Sequence, residues 1–104
     1  QGLEKIEQIQ NNYSQIYLDD KGTCWNTELI EALELRSLMV VGKMILTSAL
    51  NRQESRGAHC REDFTERDDE KYLQHTMAYY SAAGIDIQYR PVAITMFEPK
   101  ERKY

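Results

Sequence analysis

The reactive side chains of this chain crowd into one stretch, Glu54 to Phe64, which reads ESRGAHCREDF. Metal binding is the first chemistry such residues raise, since Cys24 and His75 would join His59 and Cys60 as a four-ligand zinc set. Structural zinc sites are built from ligand pairs about two to four residues apart, and no such pair occurs here. Nucleophilic catalysis would need Cys60 or Ser55 activated by His59 or His75. Adjacent side chains on an extended stretch point apart, so His59 is badly placed as a base for Cys60, and no carboxylate stands ready to orient either imidazole. Paired carboxylates for hydrolysis are present in number as Asp68, Asp69 and Glu70, but in the most polar segment, where a solvated face accounts for them. A phosphate cradle would need a glycine-rich loop, and Gly57 stands alone. Two readings remain. Arg56 and Arg61 carry rigid five-donor forks that suit a dicarboxylate or a phosphate ligand. The same forks suit Glu54, Glu62, Asp63 and Asp69 close by, which would make the stretch a polar clasp pinning an irregular segment.

The elements around this stretch bound what it can do. A chain of 104 residues holds one small domain with a modest core. Its net charge of −4 supplies no basic field for a nucleic acid. No apolar run reaches the length of a membrane span, and no signal-peptide architecture is read at the start. Cys24 and Cys60 make no disulfide framework, so reduced thiols are expected. Gln1 in place of an initiator methionine leads us to expect a trimmed chain, a processed one or a domain cut from something longer.

Leu3, Ile6, Ile9, Tyr13 and Ile16 recur at helical spacing, which predicts an amphipathic helix ending near Leu18, before the turn residues Asp19-Asp20-Lys21-Gly22. Asn26 then caps a long helix running to about Arg52, with Glu28 suited to the positive end of its dipole. One stripe of that helix holds Ala32, Leu35, Met39, Gly42, Leu46 and Ala49, and Leu33, Leu38, Val41 and Ile45 widen it. The first helix is too short to cover so broad a face. The remainder must be covered by the C-terminal half, by another subunit, or by missing parts of a larger protein. Gly42 costs such a helix about 1 kcal/mol against alanine and is expected where another backbone comes close. Beyond Gly57 the helical period stops. Arg61 to Lys71 is almost wholly polar, with Phe64 as its one anchor. Tyr72 to Tyr80 and Ile85 to Val92, separated by Ser81-Ala82-Ala83-Gly84, predict a β-hairpin, with Pro91 at an edge or a strand end. Phe97 to Tyr104 is expected to be an extended tail, suited to lie on a partner.

These residues bear a resemblance. ESRGAHCREDF followed by TERDDEKYLQHT resembles the C-terminal part of the flavoprotein subunit of succinate dehydrogenase and fumarate reductase. WNTELIEALELRSLMVVGKMILTSALNR is similar to the long helix before that motif, and IDIQYRPVAITMFEPKERKY to the terminal strand and tail. L-aspartate oxidase shares the ESRG-x-H core, but Arg61 to Phe64, the RDDE run and His75-Thr76 resemble the dehydrogenase side more closely. Glu54, Ser55, Arg56, Gly57, His59, Arg61, Glu62 and Asp63 match the motif position by position. Cys60 stands where relatives often carry alanine or serine.

The resemblance implies a mainly α fold: a spectrin-repeat-like helical bundle lacking its first helix, an irregular charged segment, then the hairpin. Residues 1–53 would form an antiparallel helix pair, and 54–104 the motif loop, hairpin and tail of the same domain. FAD would be bound in the full-length protein by an upstream domain, and no catalytic, cofactor-binding or metal residue maps onto this segment. Glu54, Ser55, Arg56, Gly57, His59, Arg61 and Asp63 would hold the bundle against that domain. In the intact enzyme, hydride would pass from succinate to flavin N5. Electrons would then leave through an iron–sulfur subunit, membrane anchor subunits and quinone, at the inner face of the cell membrane on the cytoplasmic side. The segment alone is expected to be inactive, with no nucleic-acid partner and no membrane insertion of its own. A free-standing interaction module that self-associates through its long helix is the competing expectation.

Overall fold

A computed structural model describes residues 1–100, so the end of the expected tail, 101–104, lies outside the described residues. The order of elements is α1 (Gly2–Tyr13), α2 (Thr27–Asn51), a single helical turn α3 (Asp69–Tyr72), β1 (Gln74–Ser81) and β2 (Gly84–Pro91). The protein is mainly α with a C-terminal β-hairpin. It divides into two compact units, Gln1–Thr47 and Ser48–Tyr104.

In the first unit α1 runs against α2 in the opposite sense. Gly2 faces Leu46, and Ile6 reaches Gly42. Nearer the other end, the Tyr13 hydroxyl donates to the Ala32 carbonyl at 2.7 Å. A Lys43–Glu7 ion pair at 3.3 Å flanks the seam. Met39, on the stripe facing this seam, is the buried apolar residue among those described. Leu33, Leu38, Val41 and Ile45 are all more than half exposed. The side of α2 that widens the stripe therefore has no cover among the described residues. Gly42 does meet a neighbour, but it is a side-chain tip and not a backbone: an added Cβ would stand 2.8 Å from the Ile6 Cδ1.

The first helix stops at Tyr13, a turn earlier than the spacing predicts. Ile16 is about half exposed and gains no burial that would extend the helix. Gln15 and Ile16 instead donate to Asn12 and Tyr13 in turn geometry. Asn26 caps α2 as expected, its Oδ1 accepting from the Leu29 N–H at 2.9 Å. Glu28 has a task beyond the dipole, because its carboxylate accepts from the Asp19 and Asp20 N–H groups at 3.1 and 2.9 Å.

In the second unit the hairpin pairs Gln74 with Pro91 and closes with Ser81 opposite Gly84, so its turn is Ala82-Ala83. Pro91 ends β2, where its missing N–H does least harm. Tyr72 falls in α3 and not in β1, because Asp68 accepts from the Lys71 N–H and caps that turn. No helix among the described residues is long and apolar enough to cross a membrane.

Candidate functional site

The clasp forms where α2 ends and the chain has no regular structure to satisfy its backbone. Its centre is Glu54, fully buried. A buried carboxylate is costly unless paired and hydrogen-bonded, and here both oxygens are engaged. Arg56 donates from Nε to Oε1 at 2.8 Å and from Nη2 to Oε2 at 3.1 Å. The Asp68 N–H donates to Oε2 at 2.9 Å, and Arg52 Nη1 donates to Oε1. Burial pushes the Glu54 carboxyl up, but the bonds from Arg56, the Asp68 N–H and Arg52, with the Arg56 charge, outweigh it. The net effect is a carboxyl held below its usual value and ionised at neutral pH.

Arg52, which the helical period marks only as the end of α2, is a member of the clasp that sequence reading does not find. Its fork spans the unit: Nε donates to Thr76 Oγ1 at 3.1 Å, Nη1 to the Tyr72 carbonyl at 2.8 Å, and Nη2 to the Gln74 carbonyl. The guanidinium also lies 5.5 Å from the Tyr72 ring centre, and that ring meets Tyr89 edge to face. The available signal was the symmetric R-x-E-x-R spacing about Glu54, with a cation two residues to either side.

Arg56 bridges Glu54 to Asp69, which also accepts from Arg67 at 2.8 Å. The bond to Glu54, followed by the one to Asp69, raises the Arg56 guanidinium above its ordinary value against the opposing effect of burial. Gly57, at φ 58°, and Ala58 form a tight turn closed by paired backbone bonds between Arg56 and His59 at 2.8 and 3.0 Å. Glycine is favoured there because the left-handed region is costly for other residues. This bend lies beyond the helix exit, however, and Gly57 does not cap α2. Arg61 does so, donating from Nη1 to the Ala49 and Leu50 carbonyls at 3.1 and 2.8 Å. Its Nε and Nη2 hold Asp63 at 2.7 and 2.6 Å, and its guanidinium lies over Phe64. The bond from Arg61 draws the Asp63 carboxyl below its ordinary value.

Ser55 ties the loop to itself, donating from Oγ to the Phe64 carbonyl at 2.8 Å and accepting from the Arg61 N–H at 2.9 Å. His59 places Nε2 at 3.1 Å from the Arg52 carbonyl, as a donor. Glu62 and Cys60 lie exposed beside the clasp. Both cysteines are free thiols, and among the described residues no three His, Cys, Asp or Glu side chains converge to hold a metal ion. An open cleft of about 350 Å³ runs beside Arg52, Arg56, His59 and His75. No buried side-chain nitrogen or oxygen among the described residues lacks a partner.

Comparison with known proteins decides the family. Residues 1–104 match the family described as fumarate reductase flavoprotein C-term. The chain belongs to this family. It is 42% identical over 103 residues to the fumarate reductase flavoprotein subunit of Haemophilus influenzae, covering 98% of this chain and 17% of that one. It is 37% identical over 111 residues to the mitochondrial succinate dehydrogenase [ubiquinone] flavoprotein subunit of Oryza sativa subsp. japonica, covering 100% of this chain and 18% of the relative. A solved structure of mutated E. coli quinol fumarate reductase FrdA superposes with a TM-score of 0.87 at 34% identity, over 95% of this chain and 17% of that chain. The chain thus spans about a sixth of the length of the curated relatives it matches. The resemblance carried by ESRGAHCREDF extends through all the elements of the fold.

Proposed function

We propose that this chain is the C-terminal structural segment of an FAD-dependent flavoprotein that interconverts succinate and fumarate, and that the segment has no catalytic activity alone. One observation carries the reading: the family match runs the whole length of the chain, while its arginine forks are turned onto carboxylates and carbonyls of the chain itself. FAD has no evident seat in these residues. There is no glycine-rich loop following a strand to cradle its phosphates, and the arginines that line the open cleft are held by Glu54 and Asp69. The flavin and its redox chemistry belong to the remainder of the longer protein. On this reading α1 and α2 are two members of a spectrin-repeat-like bundle of three, and a helix outside the present chain covers Leu33, Leu38, Val41 and Ile45. The clasp of Glu54, Ser55, Arg56, Gly57, His59, Arg61 and Asp63, now with Arg52, sets the end of the bundle for docking on the flavin-binding body. Partners of the complete protein are an iron–sulfur subunit and membrane anchor subunits, with quinone as electron acceptor. Its place is peripheral, on the inner face of the cell membrane.

Complementation tests this. The Haemophilus influenzae flavoprotein subunit is expressed without its matching C-terminal part, and the present chain is supplied in trans. We expect the chain alone to bind no FAD and to leave succinate unoxidised with an artificial acceptor, and the pair to regain flavin retention and turnover. Stoichiometric FAD uptake with turnover by the chain alone would overturn the reading.

A further inference from the structure

The loop joining α1 to α2, residues 14–26, belongs to the first unit and has no part in the clasp. It is long for a connection without secondary structure, and such loops are commonly functional. It is nonetheless tightly tied. Glu28 grips the Asp19 and Asp20 N–H groups. Asp20 Oδ1 accepts from the Gly22 N–H at 2.7 Å. Asn26, itself buried, donates from Nδ2 to the Asp20 and Gly22 carbonyls at 3.1 and 3.0 Å while its Oδ1 caps α2.

Beside the buried Asn26, this bonded loop leaves its largest side chain in solvent. Trp25 is 97% exposed, although tryptophan is among the residues most strongly favoured in contacts. It also holds φ 56°, and no other non-glycine residue among those described has a positive φ. A bulky residue in the left-handed region is a genuine outlier, maintained only where its surroundings impose it. Nothing within the loop rewards the indole for being there, since its ring makes no burial. Tyr17, on the same loop, is 80% exposed. A rigid aromatic side chain held in advance loses little freedom on binding, and this is the property of a docking anchor.

We propose that residues 16–26 form a preorganised docking loop whose anchor is the Trp25 indole. Its receptor would be an apolar pocket with a basic rim on the flavin-binding body of the same flavoprotein. The inference rests on the function proposed above. Two observations select the receptor. Curated relatives are about six times as long as this chain, so most of the surface able to receive the loop lies in the rest of that polypeptide. The loop carries Asp19 and Asp20 against the single Lys21, and Glu28 follows in the first turn of α2, a net negative charge that calls for a cationic rim. The anchor is distinct from the clasp and from the exposed side of α2.

The test uses the present chain with the Haemophilus influenzae flavoprotein subunit lacking its matching part, and association is measured by titration calorimetry. Trp25→Ala is expected to weaken association at least tenfold, and Trp25→Phe by clearly less. Because Trp25 is the only tryptophan in the chain, 5-fluorotryptophan labelling puts one ¹⁹F signal on the anchor. That signal should shift and lose its solvent-isotope sensitivity on binding. In the chain alone, Trp25→Gly should leave thermal stability unchanged or raise it, since glycine relieves the backbone and no packing is lost. Trp25→Ala binding within twofold of wild type, with an unshifted ¹⁹F signal, overturns the anchor and leaves the function standing. Failure of the wild-type chain to associate at all overturns both. Self-association in sedimentation that Trp25→Ala abolishes would assign the loop to a second copy and overturn the proposal.

Discussion

Glu54→Gln is the most informative single change, because it keeps the size of the side chain and removes its charge. In the wild type, Oε1 accepts from Arg52 and Arg56 Nε, and Oε2 accepts from Arg56 Nη2 and the Asp68 N–H. An amide oxygen can retain the first pair at reduced strength. The amide nitrogen, standing where Oε2 was, would confront two donors with a third. Each buried donor so abandoned costs about 1–3 kcal/mol. Weakening of the retained charge-assisted bonds adds to that, so the loss is about 3 kcal/mol or somewhat more. For a chain of this size that corresponds to a fall of about 10–20 °C in the melting of the second unit. The assay is urea unfolding followed by the near-ultraviolet signal of the Tyr72–Tyr89 pair, which lies beside the network. The effect should also depend on pH with a definite sign. Glu54 is held below its ordinary 4.5 in the folded chain. The stability it contributes is therefore fully present above that value and is lost as pH falls below it toward the lowered folded value. Glutamine does not titrate, so the gap between wild type and variant must narrow as the solution is acidified. A variant within about 0.5 kcal/mol of wild type at neutral pH, or a gap that stays constant into acid, would refute the buried-charge account.

Arg56→Ala should destabilise the second unit by about 1–3 kcal/mol, since the buried Glu54 carboxylate loses two of its four donors and Asp69 loses one. In a complete flavoprotein it should lower flavin retention or assembly before the chemical step, and unchanged stability with a large fall in kcat would mark Arg56 as an active-site group. Arg61→Ala removes the donors to the Ala49 and Leu50 carbonyls, so amide exchange should rise at the end of α2 while the β1–β2 amides keep their protection. Gly42→Ala gains about 1 kcal/mol of helix propensity against a contact with the movable tip of Ile6, so denaturant unfolding should find it neutral or slightly stabilising. Gly42→Leu should cost about 1–3 kcal/mol in the same measurement, by forcing α1 and α2 apart.

Local patterns were legible where they act locally. The apolar spacing of α2, the Asn26 cap and the alternation of the hairpin depend on neighbours a few residues away, and each appears close to where sequence places it. The end of α1 falls short of the periodicity because Ile16 keeps the helical spacing yet stays about half exposed among the described residues, and periodicity cannot report a missing partner. Gly57 marks the end of the helical period and forms a bend at φ 58°, but the capping of α2 falls to Arg61, eleven and twelve residues from the carbonyls it holds. The reach of Arg52 is not legible in sequence because three of its partners, Tyr72, Gln74 and Thr76, are separated from it by 20–24 residues.

Sequence alone therefore determined α1, α2 and the hairpin in their order, though not the single turn α3, and the identity of the motif, since periodicity, caps and turn residues are short-range physics. It also revealed that α2 carries more apolar surface than a short neighbour can cover. Tertiary structure decided which arginine faces which carboxylate, that Glu54 is buried at the centre, and that Trp25 stands clear of the chain in a strained backbone. Those outcomes follow from how segments distant in sequence meet, and composition and spacing leave that meeting open.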